Sequence, residues 1–308
     1  MRRHTILSLS AIVTLAFWLS AANAAQQAEP MTTGTLFLGM VSEVNQSLIV
    51  DRFSDFVRYL AARLTSTPEM NGQVVIAPTP FRLAKLMDQN QVDFYMESPY
   101  PTYLINNVQG VARLAARRWK GGIAEYRSLI FTAKDSEVKR LEDLRGKLFV
   151  FEDPESTSGH FLPKHFLMGK GFKFADKSRY NPDALPTDIG YIFLGSQNKV
   201  MDWVLARKAT AGALSNDDYA RLDAKKKSAI TILAETEPLP RHLLSVRKSF
   251  PPQLTDRLTT LLLAMHENTE GRKILEKADD TTKFDLLPEG DAGLQRRLTE
   301  IFRAARKN

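Results

Sequence analysis

Asp153-Pro154-Glu155-Ser156-Thr157-Ser158-Gly159-His160-Phe161-Leu162-Pro163 follows directly on the apolar run Leu148-Phe149-Val150-Phe151. The run has the length of a buried strand, and beyond Gly159 the residues Leu162, Phe166 and Leu167 fall on one helical face. The stretch therefore reads as a turn from a strand into a helix. A helix N-terminus leaves backbone N–H groups unpaired and carries a partial positive charge, which makes it a seat for anions. Ser156, Thr157 and Ser158 add hydroxyl donors that rotate to meet oxyanion oxygens. Gly159 would let a ligand approach the backbone closely. A helix cap alone needs one Ser or Thr. Three in succession followed by Gly point to a binding site.

Outward from this turn, short apolar runs alternate with helical patterns. Thr35-Leu36-Phe37-Leu38-Gly39, Gln73-Val74-Val75-Ile76 and Val92-Asp93-Phe94-Tyr95-Met96 read as strands. Between the first two, Ile49, Phe53, Phe56, Leu60 and Leu64 form a helical stripe, and Pro80 suits the first turn of the next helix. This β-α-β-α-β order predicts a mostly parallel sheet flanked by helices. A second unit begins near Gly121-Gly122, with strands at 128–131, 148–151, 190–194 and 211–213 and a strand leading out at 230–233. Val200, Trp203 and Val204 have core spacing, and Leu254, Leu258, Leu261, Leu262 and Met265 mark a helical C-terminal part. The expected architecture is α/β with two lobes, 25–122 plus 236–308 and 123–235. Parallel sheets take ligands beyond the carboxyl ends of their strands, so facing lobes would make a cleft.

The chain has 308 residues, a formal charge of +7 and no cysteine, which excludes disulfides, thiolate metal sites and a cysteine nucleophile. Arg2, Arg3 and His4, an apolar stretch from Ile6 to Leu19, and Ala22-Asn23-Ala24 have the order of a cleavable signal peptide, residues 1–24. The apolar stretch is shorter than the ~20 residues of a spanning helix. Cleavage after Ala24 would remove two arginines and no acid, lowering the charge to +5. Arg117-Arg118 and Lys225-Lys226-Lys227 lack aromatic partners arranged for base stacking and read as solvated faces, so no nucleic-acid partner is expected. His160 and His165 are five apart, which does not place two metal ligands on one helix face. Neither a nucleophile elbow nor a convincing catalytic constellation is present, and no enzyme, metal or cofactor is expected.

Asp143-Leu144-Arg145-Gly146-Lys147, Ser156-Thr157-Ser158-Gly159 and Pro163 together resemble the phosphate, phosphite and phosphonate-binding proteins of ABC importers. Val92-Asp93 through Ser98-Pro99-Tyr100, Tyr126-Arg127-Ser128, Gly195-Ser196-Gln197, Ala211-Gly212-Ala213 and Asn268-Thr269-Glu270-Gly271 extend the resemblance over nearly all of 25–308. It implies a two-lobed type II periplasmic binding fold holding a small oxyanion between the lobes. It also implies a periplasmic monomer that serves a membrane permease. Ser156, Thr157, Ser158 and Gly159 would cradle the anion, with Gln197, Tyr126, Ser98, Tyr100, Ser42 and His242 completing the site. A ligand-sensing periplasmic subunit with the same cleft, and less readily an enzyme acting on phosphorylated substrates, are the other readings. Phe81 stands where the family has a hydroxylated aromatic, Gln197 where it often has His, and Thr210 where it has a carboxylate. Asp217 and Asp218 are the nearest acidic candidates for a ligand ammonium, but Arg241-His242 fall where a second carboxylate is usual. A compact anion is therefore expected in preference to an aminophosphonate. Glu97 is a further candidate contact for a ligand hydroxyl or protonated oxyanion.

Overall fold

The structure, a computed structural model, describes residues 34–43, 45–65, 70–178 and 185–305, and the expected signal peptide lies outside them. The chain begins with β1 (Thr35–Val41), α1 (Gln46–Leu64), β2 (Asn71–Ala77), α2 (Pro80–Asp88), β3 (Phe94–Glu97), α3 (Pro99–Tyr103) and β4 (Ala112–Lys120). It leaves this unit through β5 (Glu125–Tyr126). The second unit comprises β6 (Ser128–Ala133), β7 (Leu148–Phe151), α4 (Leu162–Gly169), β8 (Phe174–Asp176), β9 (Ile189–Phe193), α5 (Gln197–Leu205), β10 (Ala211–Ser215), α6 (Asn216–Arg221), α7 (Ala224–Ser228) and β11 (Ile230–Glu235). The return runs through β12 (Leu239–Pro240) to β13 (His242–Arg247), α8 (Pro252–Ala264), α9 (Thr269–Lys277), β14 (Thr281–Asp285) and α10 (Gly290–Ala305).

Two six-stranded sheets result, ordered β14-β4-β13-β3-β1-β2 and β11-β6-β10-β7-β9-β8. Each is mixed. The predicted βαβ units supply its parallel half, β3-β1-β2 in one and β10-β7-β9-β8 in the other, and the remaining pairings are antiparallel. The two crossings, β5 and β12, pair with each other, Tyr126 opposite Leu239 and Glu125 opposite Pro240. This two-stranded ribbon joins the lobes.

β4 and β13 are among the strands that sequence patterning does not show, with β5, β8, β12 and β14. Arg117 and Arg118 lie on β4, an interior strand next to the edge of the first sheet, and are buried, not on a solvated face. Arg117 is bound by Asp285 and Glu125, and Arg118 by Asp279, Thr281 and the carbonyl of Ala278. Charges are tolerated inside a protein only with such partners. Asn268 caps α9 through the N–H of Gly271, and a Cβ on Gly271 would sit 1.9 Å from the carbonyl oxygen of Met265.

One apolar cluster belongs to both lobes. Phe161 and Leu162 of the second lobe pack with Tyr100, Tyr103 and Leu104 of the first, and α10 contributes Leu294, Leu298 and Phe302. The rings of Tyr100 and Phe161 stack at 3.4 Å, and Phe302 stands edge-on to Phe161 at 5.6 Å. The C-terminal helix thus contacts both sides of the junction.

Candidate ligand-binding site

A cavity of about 170 Å³ lies at the junction, lined by Ser98, Tyr126, Ser156, Thr157, Ser158, Asp218, Arg241 and His242. Both lobes and the connecting ribbon build it. Ser98 ends β3 and caps α3, Tyr126 lies in β5, and Arg241-His242 open β13. The 156–158 turn follows the carboxyl end of β7, and Asp218 stands in the first turn after β10. Those are the positions at which a parallel sheet offers groups to a ligand.

The decisive turn is wound as a π-helical turn, Thr157–Phe161, running on into α4. Such turns widen a helix and recur at functional positions. Ser156 is its cap: the hydroxyl accepts from the N–H of Gly159 at 2.9 Å and donates to Glu152 at 2.9 Å. The N–H groups of Thr157 and Ser158, the first two of the turn, have no partner within it. The carbonyl of Ser158 is anchored by the Ser128 hydroxyl at 2.7 Å. Gly159 has a different role from the expected one. A Cβ there would lie 2.6 Å from a Glu152 carboxylate oxygen and 2.8 Å from the Ser156 hydroxyl, so the space over it is filled by protein.

Thr157 joins the lobes. Its hydroxyl accepts the N–H of Tyr100 at 3.0 Å and bonds to the Ser98 hydroxyl at 3.1 Å. Tyr126, whose hydroxyl interacts with the Thr157 and Ser158 side chains, is held protonated by burial.

Arg241 crosses the same junction. One end of its guanidinium meets Asp217 at 2.7 and 3.2 Å, and its central carbon lies 5.2 Å from the centre of the Tyr126 ring. Arg241 is 8% and Asp217 2% exposed, yet the Arg241 Nε is buried with no hydrogen-bond partner among the described residues. His242 Nδ1 is in the same state. Burial first, then the positive charges of Arg118, Arg241 and Lys120, push the His242 imidazole well below its ordinary pKa, so it is neutral. The wall at β13 therefore combines a positive field with two unsatisfied polar atoms.

Of the ten residues proposed from the sequence, Ser98, Tyr126, Ser156, Thr157, Ser158 and His242 line the cavity. Tyr100 stands behind it in the apolar cluster and contributes its backbone N–H to Thr157. Gln197 points into the second lobe and donates to the carbonyl of Ala213. Ser42 and Gly159 are not among the lining residues. Glu97 is turned into the first lobe, where it accepts the N–H of Val41 at 2.8 Å, and burial raises its pKa to about 7. His160 packs among Phe151, Phe161 and Phe193 and bonds to the carbonyl of Pro154. Arg241 and Asp218 complete the lining; the sequence offered Asp218 as a candidate for a ligand ammonium and Arg241 as a departure from the family's carboxylate, and neither as an anion contact. The placement of Arg241 on the cavity wall has no local sequence signal, because Asp217, which positions it, lies 24 residues away.

Two α/β lobes joined by a short ribbon, with a polar cavity where they meet, define a type II periplasmic binding protein. A protein from Xanthomonas citri, XAC2383, solved bound to ATP, is similar at 25% identity, with a TM-score of 0.78 over 89% of this chain and 98% of that one. PhnD1 of Prochlorococcus marinus, solved with methylphosphonate, shares the fold at 17% identity and TM-score 0.65, over 90% of this chain and 99% of that one. A periplasmic sulfonate-binding protein, SsuA of Methylobacillus flagellatus, shares it at 13% identity and TM-score 0.59, over 88% and 87%. Residues 38–287 match the family described as ABC transporter, phosphonate, periplasmic substrate-binding protein, and the chain belongs to that family.

Proposed function

We propose that this protein captures a small phosphorus oxyanion between its lobes in the periplasm and delivers it to an ABC importer. The observation that carries the reading is Arg241, which lines the cavity and whose buried Nε has no hydrogen-bond partner among the described residues. Leaving a buried donor unpaired costs about 1–3 kcal/mol, more for a charged group, and an oxyanion oxygen would satisfy it. The amides of Thr157 and Ser158, which the turn itself does not pair, and the Ser98 hydroxyl would take the other oxygens. At ~30 Å³ per water the cavity holds the volume of about five or six waters, which suits one phosphoryl or phosphonyl group. A larger phosphate ester, such as the ATP bound to the Xanthomonas citri protein, would leave its remainder outside.

An aminoalkylphosphonate is disfavoured because the acids that would hold its ammonium are engaged. Asp217 is paired with Arg241, and Asp218 accepts the Ser215 hydroxyl at 2.5 Å and faces Arg221 at 3.6 Å. Export would follow cleavage of residues 1–24. The lobes, 25–122 plus 236–308 and 123–235, would move about the β5–β12 ribbon, and the permease would read the lobes in contact. No catalytic step is assigned.

The test is calorimetry on residues 25–308 with phosphate, phosphite, methylphosphonate, 2-aminoethylphosphonate, sulfate and methanesulfonate. A ligand at a hundred times its Kd adds about 2.7 kcal/mol, a shift of several degrees in Tm. Binding of phosphate, phosphite or methylphosphonate that Arg241→Met abolishes is the expected result. Tightest binding by 2-aminoethylphosphonate, or binding indifferent to Arg241→Met, would overturn the reading.

A further inference from the structure

We infer that His242 selects the protonation state of the ligand: the cavity takes an oxyanion that carries its own proton, as hydrogen phosphate and a singly protonated phosphonate do, in preference to fully ionised sulfate or sulfonate. The inference rests on the anion-binding reading above and adds to it what the site does with a proton.

The imidazole lies on the cavity wall with Nδ1 buried and unbonded to protein. The groups facing it come from every neighbouring strand. Arg118 is its register partner on β4, Lys120 is two residues along, and Arg241 precedes it in the chain. Glu97 and Ser98 end the strand on its other side, and Asp217 and Asp218 stand across the junction. Three cations close to the ring make imidazolium unfavourable. A neutral imidazole always presents one nitrogen as an acceptor. In the tautomer protonated on Nε2, that acceptor is Nδ1.

An acceptor set beside Arg241 in an anion site distinguishes ligands by their hydrogens. A P–O–H group donates to Nδ1 while its remaining oxygens accept from Arg241, Ser98 and the amides of the 157–158 turn. Sulfate and methanesulfonate carry no proton at neutral pH. Either would set an oxygen lone pair against the nitrogen lone pair, or require a proton on the ring beside Arg118, Lys120 and Arg241. Asp218 is a weaker source of the same preference, since its Oδ2 already accepts the Ser215 hydroxyl. A neighbour of the same fold is named a sulfonate-binding protein, so the exclusion argued here is assigned to the residues of this cavity and not to the fold.

Titration calorimetry tests the inference with the ligand pairs phosphate and sulfate, and methylphosphonate and methanesulfonate. Wild-type protein is expected to prefer the phosphorus member of each pair by at least about tenfold. His242→Phe, which fills the space without an acceptor, is expected to bring both ratios close to one. His242→Asn, with an amide oxygen near the Nδ1 position, is expected to keep them. Should His242→Phe fail to fold, the wild-type pH profile decides. Affinity for methylphosphonate should fall with its second ionisation, which removes its last proton, whereas affinity for phosphate should not fall at its own second ionisation, because hydrogen phosphate keeps a proton until the third. Equal affinities within the pairs, or a fall at one common pH set by the protein, would overturn the inference and leave the anion site standing. Failure of all four ligands to bind would overturn the anion reading itself.

Discussion

Replacing Thr157 by Val removes one hydroxyl and almost no volume, and the structure says where the loss will be felt. That hydroxyl accepts the N–H of Tyr100 at 3.0 Å and meets Ser98 at 3.1 Å, and both partners belong to the opposite lobe. Tyr100 and Thr157 are buried, so no water replaces the lost acceptor while the lobes are in contact. An unpaired buried donor costs about 1–3 kcal/mol, a factor of roughly 5 to 150 in an equilibrium constant. The penalty falls on the apposed lobes alone, because separation returns the Tyr100 N–H to water. Calorimetry should therefore show the anion binding 5- to 150-fold more weakly to Thr157→Val, with the full factor appearing if the lobes stand apart in the unliganded protein. Thr157→Ser, which keeps the oxygen, should bind within a few-fold of wild type. A Thr157→Val protein that binds within twofold of wild type would refute the view that this hydroxyl holds the lobes together.

Burial holds the His160 imidazole down to about 4 from 6.5, so it stays neutral in the folded protein while the unfolded chain takes up a proton. Stability is then lost as pH falls from 6.5 to 4, by about 3 kcal/mol at ~1.36 kcal/mol per unit, and urea unfolding should find this decline missing from His160→Gln. Phe302 has no exposed surface and touches the rings of both Tyr100 and Phe161, so Phe302→Ala should cost about 3–5 kcal/mol in denaturant unfolding and separate the lobes in small-angle scattering. Gly271→Ala forces a Cβ against the carbonyl of Met265, and thermal unfolding should fall despite the ~1 kcal/mol by which Ala favours a helix. Arg241→Met leaves the buried Asp217 with only Arg221, at 3.5 Å, and should destabilise the protein, whereas adding Asp217→Leu should recover stability without recovering anion binding.

What the sequence showed of this fold was whatever is encoded locally. β1, β2, β3, β6, β7 and β9 are short apolar runs, and α1 and α8 carry periodic stripes, so their positions follow from spacing. β4 reads Ala-Arg-Leu-Ala-Ala-Arg-Arg-Trp-Lys and looks solvated until its partners are known. Asp285, Asp279 and Thr281, which make an interior strand possible there, are about 160 residues downstream. The ribbon joining the lobes consists of two-residue strands, too short for any period to declare. The hydroxyl-rich turn was legible because a helix start after a buried strand has a strong local signature. The division of labour inside it was not. Ser156 serves as the cap and Thr157 bridges the lobes, because Glu152, Ser98 and Tyr100 reach those hydroxyls in the folded chain.

The groups that line the cavity also hold the lobes together. Arg241 binds Asp217 across the junction with one end of its guanidinium, and its Nε has no partner among the described residues. Ser98 lines the cavity while bonding to Thr157, and Tyr126 carries Arg241 on its ring. Separating the lobes would break these bonds and dismantle the cavity in one motion, since neither lobe holds a complete wall. The unpaired donors are then costly only while the lobes touch, because an open cleft returns them to water. A ligand that satisfies them stabilises the apposed arrangement by its differential affinity for it, and so acts on lobe position without touching the ribbon. Contacts independent of the ligand, Tyr100 on Phe161 and both against Phe302, offset part of the cost of closure. On the proposed function, a small anion would turn a modest number of hydrogen bonds into a shift between two shapes, the signal by which a permease would tell a loaded receptor from an empty one.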